Sequence, residues 1–213
     1  MTIRAILTAV LLFAVPAGAV AQDVAPQAGD AAGALFDTSY RPSPTLSARI
    51  QREFLSSVRW SAGADARDRL LAAFSERSPT EIWQELVAPD GLTTNNVTDA
   101  LTAYWILNWV AANGAYSLEI DSRPVQKQLA EAFANDANFR ALNDQQRQEM
   151  AEGYILNFLV EHAALNVALE QQDVETLTRL GTAAVRRFRN QMKIDLLSVV
   201  PGPEGFVAKH ITD

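Results

Sequence analysis

The chain has no cysteine and only two histidines among its 213 residues. Without cysteine there is no disulfide, and no thiol behind a leader peptide to take a lipid anchor, so the domain depends on its core alone. His162 and His210 fall short of the roughly four N/S ligands of a structural zinc site, and no HExxH or Glu-x-x-His pattern accompanies them. No Gly-rich phosphate loop and no Gly-x-Ser-x-Gly elbow is present. No cofactor is implied. Strand-like alternation is missing too, and beyond the first residues no run is long and apolar enough to span a bilayer.

What is present begins with a secretory signature. Arg4 supplies a positive start, Ile6 to Val15 an apolar run, and Ala19-Val20-Ala21 a small-x-small cleavage site before Gln22. The expected signal peptide is residues 1–21, cleaved after Ala21, which points to a periplasmic or secreted protein. Its removal takes away Arg4 alone and leaves 17 basic against 25 acidic residues, a net charge near −8. That balance argues against nucleic acid or an anionic membrane as partner. Residues 22–42 are rich in Ala, Gly, Asp and Pro and read as a flexible leader, with Phe36 and Tyr40 placed to dock its end. The domain proper is 43–213, enough chain to bury roughly 70% of its unfolded surface.

The periodicity predicts an all-α domain of about seven helices arranged around a buried one. That central helix is NNVTDALTAYWILNWVAANG, with Asn95 as N-cap and Asn113-Gly114 as stop. It is apolar nearly all round, as a helix buried on most sides must be. Ser43-Pro44 opens the first helix, and Ser78-Pro79-Thr80-Glu81 is a capping box that opens the third. Asn143 with Gln146 opens the longest helix, and Asp173 the last, which runs to about Lys193. Phe139 to Leu142 reads as a short turn. From about 195 the chain is a non-helical tail, with Pro201, Gly202, Pro203 and Gly205 excluding a helix and Leu196 to Val200 able to form one extended segment.

Asn108 falls in the middle of the central helix's most apolar face. In the long helix, Tyr154, Asn157 and Glu161 share an apolar face in the same way. An amide there must find partners or cost about 1–3 kcal/mol. One reading joins Asn108, Asn157 and Glu161, with Tyr104 and Tyr154, in a single buried network or ligand site. The other has each asparagine satisfied separately through backbone carbonyls. A Glu161 buried there has its pKa raised by desolvation unless an arginine pairs with it. Trp60, Trp83, Tyr104, Trp105 and Trp109 read as core or, alternatively, as the lining of an apolar cleft. Arg186-Arg187-Phe188-Arg189 with Lys193 is the one basic cluster. It reads as a complement to the helix dipole or as a docking patch for an acidic partner.

The run NNVTDALTAYWILNWV resembles a family of secreted, mainly helical bacterial proteins known only as a domain of unknown function. Arg41-Pro42-Ser43 and Glu149-Met150-Ala151-Glu152 extend the likeness, which covers most of the chain after Tyr40. Its best-matching positions are Asn96, Asp99, Ala100, Tyr104, Trp105 and Trp109. The resemblance implies a bacterial, exported setting and carries no activity or catalytic residue.

The expected function is non-enzymatic binding of a protein partner or a small apolar ligand. The alternative is a carboxylate-dependent hydrolase with Glu161 as acid. A ligand site or active site leaves Glu161 in a concave pocket, and an enzyme needs a second acid or a nucleophile beside it. An interaction protein instead shows exposed apolar surface.

Overall fold

The computed structural model of the chain describes residues 35–209. The expected signal peptide, most of the expected leader and His210 lie outside the described residues. Eight α-helices are found among those described, one more than expected. They are α1 (Pro44–Ala62), α2 (Ala64–Glu76), α3 (Pro79–Val87), α4 (Val97–Asn113), α5 (Ser122–Asn135), α6 (Ala137–Arg140), α7 (Asp144–Glu170) and α8 (Val174–Gln191). The additional one is α6, a single turn where the sequence predicts a break and a bend. A 3-10 turn over Ala88–Asp90 follows α3.

The caps account for most of the boundaries. The Ser43 and Asp173 side chains accept from the backbone N–H groups of Leu46 and Thr176, and Ser78/Glu81 and Asn143/Gln146 form reciprocal capping boxes. One cap is displaced from its expected place. Asn96, not Asn95, caps α4, accepting from the Asp99 N–H at 3.2 Å. Asn95 occupies the left-handed region at φ 63°, which asparagine tolerates better than most residues.

Helix α4 is the hub. Twelve of its 17 residues are buried, and it packs against α7, α8 and α5. Trp105 stacks on Phe206 and tilts against Phe188, while Tyr104 packs against Phe188 and Tyr154. Helix α1 packs on α7 and α2, and α3 lays the fully buried Trp83 against Phe158 of α7. Burying an aromatic of this size contributes about 1.5–3 kcal/mol, which is how a cysteine-free chain holds itself together. Trp60 corrects the expectation that all five aromatics are core. It is 87% exposed in the last turn of α1.

Both ends of the domain are more ordered than their composition suggests. Among the described residues the expected tail does not form one extended segment but an antiparallel hairpin, β1 (Val199–Gly202) with β2 (Gly205–Ala208). The hairpin packs on α5, where Gln128 bonds the Phe206 backbone in both directions at 2.9 Å, and the Trp109 indole donates to the Val199 carbonyl. The last residues of the expected leader are likewise docked. Tyr40 N–H donates to Asn95 O and Val97 N–H to Thr38 O. The buried Thr38 hydroxyl lies 2.7 Å from Asn96 Oδ1 and 2.8 Å from Thr98 Oγ1.

Candidate functional site

Three helices bring the expected polar residues together, with one omission and one addition. Tyr104 and Asn108 stand one turn apart on α4, Tyr154 and Glu161 two turns apart on α7, and Arg187 comes from α8. The Asn108 amide donates to the Tyr104 carbonyl at 2.8 Å and its Oδ1 accepts from Arg187 Nη1. The same guanidinium nitrogen pairs with Glu161 Oε1. The guanidinium also lies 5.8 Å from the centre of the Tyr104 ring, and the Tyr104 and Tyr154 rings are 5.5 Å apart. The two charged side chains are only 8% and 17% exposed. Burial pushes the Glu161 carboxyl above its ordinary range, while Arg187 and then Asn108 pull it back. Burial also lifts the Tyr154 hydroxyl to about 12 and Tyr104 higher still, so both remain neutral donors.

Asn157 is the omission. Its amide turns back to the Gly153 carbonyl at 2.7 Å, and among the described residues no hydrogen bond joins it to Glu161 or Asn108. The expected network joining both asparagines with Glu161 is therefore not formed, and each amide donates to a backbone carbonyl one turn back. Asn108 is wired to Glu161 through Arg187, and Asn157 is satisfied within its own turn. Arg187 is the addition, and it corrects the reading of residues 186–189 as one surface cluster. Arg186 and Arg189 are exposed, and Arg189 pairs with Asp195, whereas Arg187 points into the bundle.

The space beside this cluster is small. Leu107, Ala111, Glu161, Leu165, Leu180, Ala184 and Arg187 enclose about 20 Å³, the room of a single water. Glu161 is the one carboxylate in that lining, so the second acid that glycosidase-type chemistry needs is not beside it. His162 stacks on Phe158 at 5.5 Å, and burial lowers its pKa. Among the described residues no three His, Cys, Asp or Glu side chains are grouped to hold a metal.

A second buried cluster escaped the sequence reading. Ser43 N–H donates to Gln148 Oε1 at 2.9 Å. The Gln148 amide returns bonds to Ser43 O, Ser47 Oγ and Glu152 Oε1, and the Ser47 hydroxyl donates to Glu152 Oε1 at 2.6 Å. These bonds rivet the start of α1 to α7. The signal was present, because Gln148, Glu152, Ile155 and Leu159 follow helical spacing along one buried face. Burial raises the Glu152 carboxyl above the usual glutamate range, opposed by Ser47 and Gln148. The folded value therefore lies above the unfolded one, and the folded state holds the extra proton. Its stabilising contribution is complete below the ordinary glutamate pKa and is lost as the pH rises through the raised value. Glu152→Gln keeps an acceptor for both bonds and removes the buried charge. Urea unfolding should show the variant no less stable than wild type at neutral pH, with a flatter decline from about pH 4 upward. A steeper decline in the variant would contradict the assignment.

The positions carrying the family likeness are now placed. Asn96 caps α4. Asp99 accepts from the N–H and hydroxyl of Thr93 and from the Gln126 amide. Tyr104, Trp105 and Trp109 face the core. Residues 19–208 match a family described as "Family of unknown function (DUF6683)". The chain belongs to this family. No curated protein and no solved structure matches the chain. Among the described residues, no helix is long and apolar enough to cross a membrane.

Proposed function

We propose that this family member is an exported, non-enzymatic interaction protein that presents the α1–α2 arm to a protein partner with an acidic surface. The observation that carries the reading is Trp60. An indole left 87% exposed at the end of α1 is the kind of large apolar group that binding surfaces use as an anchor. It stands beside the exposed Arg59 and one turn before Gly63, where the chain doubles back into α2. Helix α2 packs on α1 with Phe74 buried and Ala66 and Leu70 partly buried, which leaves its other face at the surface. The two helices, Pro44 to Glu76, hold five arginines and four acids, and with the flanking Arg41 and Arg77 the stretch reaches a net charge of +3 in a chain of net −7. Arginine and tryptophan together are the enriched residues of interface hot spots, and the local charge favours an acidic face opposite. The polar cluster around Glu161 offers a small apolar ligand no comparable room.

Replacing Trp60 with a photo-crosslinking residue in cells should give a discrete adduct with a second protein, absent when the probe replaces the exposed Leu118. The same adduct from both positions, or none from either, would defeat the reading. Trp60→Ala should leave stability within about 0.5 kcal/mol, as expected for a surface change. For export, the motive is the Ala19-Val20-Ala21 site. Intact-mass measurement of exported material should give a chain beginning at Gln22, and retained Met1 would refute it.

A further inference from the structure

An open groove of about 410 Å³ runs between the start of α1 and the start of α7, within the size range of small-molecule sites. Its lining contains Arg41, Arg49 and Arg52 against a single acid, Asp144, with Ser43, Thr45, Leu46, Gln145 and Gln148 completing the wall. Arg49 is held by Glu149 and lies 3.8 Å from Glu53. Arg41 and Arg52 are exposed and have no carboxylate partner among the described residues. Leaving two guanidinium groups unpaired in one groove of an acidic chain calls for an explanation, since 25 acids were available to neutralise them. The groove wall is rigid. Gln148 is fully buried and bonded on every side, and it clamps Ser43 and Ser47 of the α1 entry to α7.

We infer that this groove is a binding site for a phosphate-type oxyanion carried by a small molecule or a headgroup. Guanidinium forks recognise phosphate oxygens bidentately. Two of them, Arg41 in the loop before α1 and Arg52 in its third turn, have no carboxylate partner among the described residues, while Arg49 between them is held by Glu149. A tetrahedral phosphate oxyanion accepts from several directions at once. The hydroxyls of Ser43 and Thr45 border the same space, and Thr45 sits at the second helical position, where the N–H has no intrahelical carbonyl.

The test is titration of the folded protein with glycerol 3-phosphate, with pyrophosphate, and with phosphatidylcholine vesicles containing phosphatidylglycerol. The protein is compared as wild type, as Arg41→Glu with Arg52→Glu, and as Arg69→Glu with Arg186→Glu. The last pair is exposed, lies outside the groove and carries the same total charge change. Saturable binding weakened about ten-fold or more by the groove pair, and less than about two-fold by the control pair, is the expected result. Saturation by the soluble esters assigns a free ligand. Saturation by the vesicles alone, with the same dependence on the variants, assigns a lipid headgroup. Arg52→Gln alone, which removes one exposed charge without adding another, should weaken binding several-fold and guards against a misfolded double variant. No saturable binding of any probe, or equal losses in the two double variants, would overturn the site.

Discussion

Arg187→Met should cost about 3–5 kcal/mol, seen as a large fall in the urea midpoint at neutral pH. It removes the partner that holds the Glu161 carboxylate between α4, α7 and α8, so that group must stay buried as an unpaired charge or take up a proton, and breaking a buried pair from one side is among the most costly single changes. Adding Glu161→Leu should restore most of the loss, because a buried ion pair replaced whole by apolar side chains is often neutral. Wiring through one guanidinium makes a further demand. Asn108→Ala and Glu161→Gln should combine non-additively, since both bond Arg187 Nη1. Asn108→Ala and Asn157→Ala should add to within about 0.5 kcal/mol, because no bond links them. Strong coupling between the two asparagines would mean that the geometry around Gly153 has been misread.

The second large effect is expected at Gly181. A Cβ built there would lie 2.5 Å from the Ala111 carbonyl oxygen, so α8 crosses α4 almost backbone to backbone. Neither helix yields easily, because the obstacle is main chain rather than a flexible side-chain end. Gly181→Val should destabilise by about 3 kcal/mol, at the upper end of overpacking costs. Gly181→Ala should lose less, since alanine recovers up to about 1 kcal/mol of helix propensity. Thermal unfolding of the two variants checks the order, and an Ala variant more stable than wild type would show that the crossing is looser than drawn.

The helical frame was legible because its signals are local. Ser78-Pro79-Thr80-Glu81 and Asn143-x-x-Gln146 close their capping boxes through bonds spanning three residues, which the sequence displays directly. The apolar circumference of α4 likewise announces a buried helix. The hairpin was not legible, since it is held by Gln128 and Trp109 across 78 and 90 residues. The docking of Tyr40 was expected from its size, but the pairing of Thr38 and Tyr40 with the α4 entry spans more than 50 residues and composition does not reveal it.

In the candidate cluster, Arg187 was hidden by adjacency. It belongs with Leu180 and Ala184 at helical spacing, yet its neighbours Arg186 and Arg189 make a basic run that draws the eye to the surface. Trp60 misled in the opposite sense. It follows Val58 by two positions and falls about 120° from the middle of the stripe of Ile50, Phe54 and Val58, so its spacing already turned it off the buried face. Net charge concealed the basic arm, because a sum over the chain averages a net +3 segment into the acidity of the remainder.

The central claim is that the Glu161–Arg187 pair is an internal feature of the bundle that apolar side chains can replace, and that interaction happens at the arm. Its most direct test combines Glu161→Leu with Arg187→Met in a chain carrying the photo-crosslinker at position 60. If the variant folds and yields the same discrete adduct as the parent, the interaction does not depend on the buried cluster, as the proposal expects. A folded variant that has lost the adduct would place the function in the buried cluster and contradict the account.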